Sequence, residues 1–435
     1  MKKFFKTLLA TSFALLYLFS VGSCGAMGAD GGGLGYGGAY KGLGEGGVDA
    51  PTGETDGDLD EDAPENENSE KEEEVIQKPA GLITAGAWND NDNYEYWKTL
   101  FSQNEENVGK FYEYSKAENS WGFDSYNRVK VTVKNGENPV AGANVTAKTH
   151  DGEVLFTAKA NTNGIAYVFT SEQAGLIEAV SGAGQATAEF TAENRDLTIH
   201  INENAEKKNV IELMFVVDVT GSMGDELFFL NNEIADVVNR VAQADSATQI
   251  NLALLFYRDH TDNEIFKYYD FTDVTNADGL AKQQAAIAAQ KASGGGDYPE
   301  AVEDALAMAV EKQWSAGATT KIIFHVLDAP PHSGTSNQTK MHAAAKAAAE
   351  KGIRVCPVIC SGADMVTEYV MRQTAVYTGG TFVFVTDDSG IGNPHHDPQL
   401  PNVTVEALNS LLVRLINGYH SGTFAEPIDW RQEVK

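Results

Sequence analysis

The sequence predicts an α/β protein with a doubly wound, mainly parallel sheet, preceded by a small all-β sandwich and a disordered tether. From Asn209 onward, apolar strands alternate with helices, which is typical of a parallel sheet covered on both faces. Between Asn127 and Asn202, short alternating runs are separated by turn signals, which is typical of a sandwich. The chain before residue 80 contains glycine and acidic runs with few side chains to bury.

Residues 1–24 are predicted to be a lipoprotein signal peptide. Lysines near the N-terminus precede an apolar run from Leu8 to Phe19, which is too short to span a bilayer. The following Val21-Gly-Ser-Cys24 resembles the lipobox of bacterial lipoproteins, in which the cysteine receives a diacylglycerol and becomes the mature N-terminus. This resemblance implies lipidation of Cys24 and a membrane-anchored, extracytoplasmic protein of the cell envelope. An ordinary signal peptide with a chance cysteine is the alternative.

Residues 25–80 are predicted to be a disordered Gly-rich and acidic linker. Glycine fills 12 of the 23 positions from 25 to 47, and residues 48–74 hold 13 acidic side chains and one lysine. A solvated spacer is the favoured interpretation, and a binding role for the acidic run is the alternative. The formal net charge of −30 argues against nucleic acid as a partner.

Residues 81–125 are rich in aromatic side chains and are predicted to be partly helical, with a helix from Tyr94 to Ser102. Such side chains usually form a packing element, although aromatic rings beside amides also bind sugars. The aromatic residues are Trp88, Tyr94, Tyr96, Trp97, Phe101, Phe111, Tyr112, Tyr114, Trp121 and Phe123.

Residues 126–205 are predicted to form the β-sandwich. Val129–Val133 and Ala143–Ala147 alternate in polarity, and Asn-Gly pairs mark the turns. The segment from Val133 to Val145, with Thr162-Asn-Gly-Ile-Ala-Tyr later, resembles the carboxypeptidase-regulatory-like domains. That resemblance implies a spacer or adhesive module.

Residues 208–420 carry the predicted parallel sheet, and residues 421–435 form a C-terminal tail. The segment Ile211 to Val217 is almost continuously apolar, as expected for a central parallel strand. Further strands are predicted at Ile250 to Tyr257, Ile265 to Phe271, Ile322 to Leu327, Ile353 to Ile359 and Thr381 to Val385, and helices at Pro299 to Gln313, Met341 to Lys351, Met365 to Thr378 and Val403 to Asn417.

Three polar loops are predicted to meet at the carboxyl ends of these strands, where open sheets bind their ligands. Asp218, Thr220 and Ser222 alternate directly after the first strand and present hard oxygen atoms to one side. Asp297 follows a glycine run, and Asp328 ends another strand. These five residues predict a site for Mg²⁺, or for Mn²⁺ or Ca²⁺.

With their strand context, these loops resemble the von Willebrand factor A domain, which has a Rossmann-like fold and a metal-ion-dependent adhesion site. Asp218, Thr220, Ser222 and Asp328 match the motif of that site by position, whereas Asp297 stands where the family usually has Thr. Three carboxylates would hold the ion more tightly than two and leave it less electrophilic toward a partner's carboxylate. We therefore expect a metal that is substantially structural, or one whose open position takes a carbonyl or water as readily as an acid.

Other polar residues are assigned to the rim or to the core. Arg258, His260 and His332 are candidates for the rim of the site. His325 is predicted to be a core histidine, and His395 and His396 are predicted to lie on a surface loop rather than in a Zn²⁺ site. Cys356 and Cys360 lie too far apart on a predicted strand for a disulfide and are expected to be buried thiols.

The leading functional prediction is a lipid-anchored surface protein with a sandwich stalk and a head that binds an unknown protein ligand through a divalent cation. No arrangement of nucleophile and base supports an enzyme. The main alternative is an envelope assembly or scaffold component with a structural metal. A carbohydrate-binding protein or a metal-dependent hydrolase is a further alternative.

Overall fold

The structure is a computed structural model that describes residues 83–433 except 104–107, 117–119, 204–207, 245–246, 317–319 and 391–393. The predicted signal peptide, Cys24, the whole predicted linker and the chain up to residue 82 lie outside the described residues. Among the helices that are described, none is both long and apolar enough to cross a bilayer.

The described residues form sixteen strands and eight α-helices. The strands are β1 (Thr84–Trp88), β2 (Arg128–Asn135), β3 (Asn138–Pro139), β4 (Asn144–Lys148), β5 (Val154–Lys159), β6 (Ile165–Phe169), β7 (Ala174–Ser181), β8 (Gly184–Thr191), β9 (Asp196–His200), β10 (Val210–Asp218), β11 (Gln249–Tyr257), β12 (Phe266–Asp273), β13 (Thr320–Leu327), β14 (Ile353–Ile359), β15 (Phe382–Val385) and β16 (Glu406–Ala407). The helices are α1 (Tyr94–Thr99), α2 (Gly224–Ala244), α3 (Ala277–Ala288), α4 (Val302–Glu311), α5 (Thr335–Lys351), α6 (Met365–Thr378), α7 (Leu408–Ser421) and α8 (Trp430–Glu433).

The head is an eight-stranded sheet in the order β12-β11-β10-β13-β14-β15-β1-β16. Strands β11, β10, β13, β14 and β15 are mutually parallel, and β12, β1 and β16 add antiparallel pairs at the two sides. Apolar residues of α2, α3 and α7 cover one face, and those of α4, α5 and α6 cover the other. The predicted doubly wound, mainly parallel sheet is therefore confirmed.

Strand β1 is an element that the sequence did not predict. It pairs antiparallel with β15 on one side and with β16 on the other, so the start of the aromatic segment belongs to the head sheet. Just after β1, Asp90 is buried and accepts two hydrogen bonds from Arg372 of α6, at 2.9 and 2.6 Å. Arg372 also pairs with Glu368 at 2.7 Å, so a buried network of charges fixes this segment to the head.

The remaining aromatic side chains mostly pack inward. Trp97 and Phe111 are fully buried and their rings contact each other edge to face, with the guanidinium of Arg372 5.0 Å from the Trp97 ring centroid. The predicted helix is present at Tyr94–Thr99. These buried rings form a packing element and cannot stack on a sugar, which disfavours the carbohydrate-binding alternative.

The sandwich consists of two four-stranded sheets, in which β3, β2, β6 and β9 face β5, β4, β7 and β8. It packs on the α5 and α6 side of the head, where the Tyr377 ring stacks on Phe169 at 4.7 Å and Lys346 donates to the backbone carbonyl of Leu155 at 3.1 Å. Because β1 precedes the sandwich and β10 follows it, both ends of the sandwich return to the head sheet. The predicted stalk is therefore wrong in this respect: the sandwich is an insertion beside the head.

Three helix starts differ from the sequence prediction for physical reasons. Helix α4 begins at Val302 rather than Pro299, because Glu300 forms a parallel bridge with Pro331 that keeps the chain extended. Helix α7 begins at Leu408 rather than Val403, because β16 first pairs with β1. Helix α5 begins at Thr335, six residues before Met341, in a polar first stretch that has no apolar periodicity.

Candidate metal site

The three predicted loops do converge at the carboxyl ends of β10 and β13. They line one side of an open cleft with a volume of about 300 Å³, and the chain after β14 closes the other side. The lining residues include Thr220, Ser222, Gly294, Gly295, Gly296, Asp297, Tyr298, Glu300, Asp328, Ser361 and Gly362. The fold therefore brings together Thr220, Ser222, Asp297 and Asp328 in one cleft, with Asp218 buried beneath it.

The first loop is organised around the Asp218 carboxylate. Its Oδ1 atom accepts hydrogen bonds from the Thr220 backbone N–H at 2.8 Å and from the Thr220 hydroxyl at 2.7 Å. The Thr220 and Ser222 hydroxyl oxygens are 3.3 Å apart, and the Ser222 hydroxyl donates to the Asp328 carboxylate. These bonds orient both hydroxyls, and the second oxygen of Asp218 is buried without a hydrogen-bond partner.

Three buried carboxylate oxygens of the cleft loops have no hydrogen-bond partner: Oδ2 of Asp218, Oδ1 of Asp328 and Oε2 of Glu300. The same is true of Oε2 of Glu226 in α2, whose other oxygen accepts a hydrogen bond from the Ser361 backbone N–H at 3.1 Å. Buried polar atoms in native proteins nearly always have a partner, so these unsatisfied acceptors need an explanation. Among the described residues, no three carboxylates of this cleft have ligand atoms within 4.8 Å of one another, so one ion here would be held by one or two of them together with the hydroxyls of Thr220 and Ser222. Oxygen atoms are the ligands that Mg²⁺ and Ca²⁺ take. The residues present therefore fit the predicted type of ion.

The electrostatics of the three acids lead to the same conclusion. Burial and the neighbouring charge of Asp328 raise the pKa of Asp218 to about 7. Burial raises the pKa of Asp328 to about 6, although the hydrogen bond from Ser222 opposes the rise. Burial and the charges of Asp218 and Asp259 raise the pKa of Glu300 to about 9. Without a cation, ionising these groups together is costly.

Glu300 is the site residue that the sequence reasoning missed. It is 4% exposed and interacts electrostatically with Asp218 and Asp328, whereas Asp297 is exposed at the rim of the cleft. Gly295 has a φ of +78°, and a Cβ there would lie 3.0 Å from Oε1 of Glu300, so the glycine run makes room for this carboxylate. A glutamate flanked by Pro299 and by apolar Ala-Val was the signal that could have indicated burial.

The predicted rim residues lie beside the cleft, Arg258 and His260 on the loop after β11 and His332 on the loop after β13. Arg258 donates to the backbone carbonyls of Ser293 at 2.8 Å and Lys291 at 3.1 Å, so it holds the glycine loop. His260 contacts Asp304 at 2.8 Å, and His332 contacts Asp259 at 2.6 Å.

The remaining residues that the sequence analysis singled out lie in the core or pair with carboxylates. His325 is fully buried with Nε2 3.2 Å from the Tyr257 hydroxyl, and burial lowers its pKa to about 3. Cys356 and Cys360 are free and buried, as predicted. His395 and His396 pair with Asp387 and Glu368, each at 2.7 Å, and neither belongs to a cluster of three ligands among the described residues.

Residues 212–387 match the family model of the von Willebrand factor A domain. A curated relative, the "Putative ariadne-like RING finger protein" of Acanthamoeba polyphaga mimivirus, is 32% identical over 123 residues, which cover 28% of this chain and 11% of that protein. The chain thus spans about a tenth of the length of this relative.

Two solved structures show a distant likeness. The conserved hypothetical protein BatB from Bacteroides thetaiotaomicron is 14% identical with a TM-score of 0.34, covering 48% of this chain and 99% of that one. The open conformation of the pilus adhesin SpaC from Lactobacillus rhamnosus GG is 10% identical with a TM-score of 0.37, covering 67% of this chain and 35% of that one. Both TM-scores are below 0.5, so neither likeness carries weight for function.

Proposed function

We propose that the von Willebrand factor A-type domain at residues 212–387 binds a protein partner through a divalent cation. The observation that carries this proposal is the set of three buried carboxylate oxygens without partners at the carboxyl edge of the sheet. They lie beside two hydroxyls of an Asp-x-Thr-x-Ser loop, and the cleft above them is open to solvent. A site that only stabilised the fold would not need this opening.

Asp218, Thr220, Ser222 and Asp328 would hold the ion, with Glu300 close enough to interact with it electrostatically and Asp297 at the entrance. When bound, the ion supplies a positive charge to which an oxygen atom of a partner can coordinate. In a chain with a formal net charge of −30, that charge offsets the repulsion that an acidic partner would otherwise meet. Metal and partner affinity are therefore expected to be coupled.

The rim offers a contact for the partner beside the ion. Tyr298 is 46% exposed, and its hydroxyl donates to the backbone carbonyl of Gly362 at 2.9 Å, which fixes the ring across one side of the cleft. Exposed aromatic side chains held in one conformation are frequent hot spots at protein interfaces. Together with the predicted lipidation of Cys24, this supports a membrane-anchored surface protein of the cell envelope that acts by adhesion.

The test is capture of partners by the purified protein with and without a chelator. Asp218→Asn is expected to lower Mg²⁺ affinity by at least about 10-fold in calorimetry and to abolish chelator-sensitive capture, because it removes a buried charged ligand. Asp151→Asn is the matched control, since Asp151 is an exposed acid on a sandwich turn far from the cleft. Capture that is equal for both variants and unchanged by chelation would refute the proposal.

An envelope scaffold with a structural metal is the second candidate. It is supported by the same three carboxylates, because their combined charge leaves a dication weakly electrophilic. In that case, metal removal would lower the melting temperature, and partner capture would persist at temperatures where the metal-free head remains folded. Catalysis forms no part of either proposal.

A further inference from the structure

A second cluster of potential ligands lies beside the cleft, on the loop after β11 and at the start of α4. The rings of His260 and His332 are stacked, with centroids 4.6 Å apart and planes at 20°. Asp259, Glu303 and Asp304 surround them. Two overlapping triplets, Asp259 with His260 and His332, and His260 with Glu303 and Asp304, each place one ligand atom per residue within 4.8 Å of the others.

The contacts bring imidazole nitrogens against carboxylates. His332 Nε2 is 2.6 Å from Asp259 Oδ1, and His260 Nε2 is 3.7 Å from Glu303 Oε1. The backbone N–H of His332 donates to the other oxygen of Glu303 at 3.3 Å. Nitrogen and oxygen atoms from three separate segments therefore converge on one small volume.

Glu303 provides an independent sign of a ligand. Its side chain is 0% exposed, and its Oε1 atom, which is directed at His260, has no hydrogen-bond partner. Asp304 has such a partner, because it contacts both His260 and Lys340. Lys340 balances Asp304, whereas the carboxylates of Asp259 and Glu303 face the two histidines, and Thr261 donates to the second oxygen of Asp259 at 2.8 Å.

We propose that Asp259, His260, Glu303 and His332 form a second metal site, which takes a transition-metal dication of the Zn²⁺ type. Two imidazoles with two carboxylates are a ligand set for Zn²⁺, Mn²⁺, Fe²⁺ or Co²⁺, whereas Mg²⁺ and Ca²⁺ prefer oxygen alone. The ligand chemistry distinguishes this site from the all-oxygen site beneath the cleft. The inference is independent of the proposed adhesive function.

The ligand atoms of Asp259, His260 and His332 already lie within 4.8 Å of one another, and Glu303 must move toward them to complete the site. Tetrahedral ligands at about 2.1 Å from a metal are about 3.4 Å from each other. The His260 to Glu303 separation of 3.7 Å is already close to that value, and the His332 to Asp259 separation of 2.6 Å must open by less than about 1 Å. The ion would replace the hydrogen bond between the latter pair.

The position of this site makes it a support for the glycine loop. Asp262 in the same turn accepts hydrogen bonds from the backbone N–H groups of Asp259 at 3.2 Å and Gly295 at 3.0 Å. Gly295 in turn packs against Glu300 of the first site. A metal on Asp259 would therefore fix the turn that positions Glu300.

In the experiment, the full-length chain is titrated with Zn²⁺ in the presence of saturating Mg²⁺, and binding is measured by isothermal titration calorimetry. We expect one Zn²⁺ per chain, with an affinity that His260→Ala and His332→Ala each lower by about 100-fold and that Asp218→Asn leaves intact. His150→Ala is the matched control, because His150 pairs with Glu189 at 3.3 Å on the exposed face of the sandwich.

Co²⁺ provides a second readout that does not depend on stability. The wild-type protein should give visible absorption bands of a nitrogen- and oxygen-ligated Co²⁺, and both histidine variants should lose them while the His150→Ala protein keeps them. Circular dichroism verifies that the variants fold. Absence of Zn²⁺ binding in Mg²⁺, or binding that persists unchanged in folded His260→Ala and His332→Ala proteins, would overturn the proposal.

Discussion

Replacing Glu300 by Gln should make the metal-free head more stable than the wild type and the metal-bound head less stable than the wild type. In the folded protein without metal, burial and the nearby charges of Asp218 and Asp259 raise the pKa of Glu300 from 4.5 to about 9. A carboxyl group whose pKa is higher in the folded state than in the unfolded state destabilises the fold when it ionises. The loss begins as the pH rises above the unfolded-state pKa and is complete above the folded-state pKa. Glutamine has the shape of the protonated acid and cannot ionise, so the variant escapes this loss.

The magnitude follows from the interval between the unfolded pKa and the assay pH. At pH 7, the interval from 4.5 is about 2.5 units, and each unit is worth about 1.36 kcal/mol, so the variant should gain roughly 3 kcal/mol in free energy of unfolding. The gain should be small near pH 5 and reach its plateau above pH 9. For a domain of this size, it amounts to a rise of several degrees in melting temperature.

Saturating Mg²⁺ should reverse the order, because the ion stabilises only proteins that bind it and the variant has lost a negative charge near the ion. The assay is urea denaturation of both proteins in chelator and in Mg²⁺ at several pH values. Asp151→Asn is the control, since this exposed acid on a sandwich turn should change stability by less than about 0.5 kcal/mol in either medium. A Glu300→Gln protein that is less stable than wild type in chelator, with an unaltered Mg²⁺ response, would refute the role of Glu300.

Three further perturbations test other parts of the structure by denaturation. Gly295→Ala should cost about 1–3 kcal/mol, because the backbone has a φ of +78° and the new Cβ would lie 3.0 Å from a Glu300 oxygen. Asp90→Asn should cost about 3 kcal/mol or more, because it leaves the buried guanidinium of Arg372 with one carboxylate instead of two. His396→Gln should destabilise the protein at pH 6 but hardly at pH 9. The hydrogen bond to Glu368 raises the pKa of His396 in the folded protein. The stabilisation by protonated His396 is therefore fully present below the pKa of the unfolded state and is lost as the pH rises through the pKa of the folded state.

Matched variants separate these effects from general damage. Gly136→Ala has a φ of +58° but open space around the new Cβ, so it should cost less than Gly295→Ala. Asp388→Asn breaks an exposed pair with Arg431 and should cost less than about 1 kcal/mol. His150→Gln removes an exposed pair with Glu189 and should cost less than His396→Gln at pH 6. Equal effects within any of these pairs would contradict the reasoning.

The parallel sheet was predictable because its evidence is local and redundant. Strands such as Val210–Asp218 are almost continuously buried and apolar, and helix ends such as Gly352 and Gly379, both in the left-handed region, are marked in the sequence. The meeting of the polar loops was predictable for the same reason, since residues that end parallel strands lie at one edge of the sheet. Asp218 and Asp328 needed no knowledge of distant contacts.

The unpredicted features depend on contacts between distant segments. Thr84–Trp88 is a short run whose strand conformation is specified by β15 and β16, about 300 residues away in the chain. Burial of Glu300 depends on its bridge to Pro331, which no periodicity within the glycine loop reveals. The insertion of the sandwich beside the head has the same cause, because it follows only once β1 is placed in the sheet.

The placement of β1 has a mechanical consequence. Tension on the chain upstream of Thr84 enters the head through a strand that is hydrogen-bonded on both sides, and Asp90 clamps its far end to Arg372. The inserted sandwich does not lie on the path of that force. The loops of the candidate metal site follow β10 and β13, which are other strands of the sheet. A pulled molecule would thus keep its cleft intact until β1 is extracted, so rupture of this one strand sets the force threshold of the head.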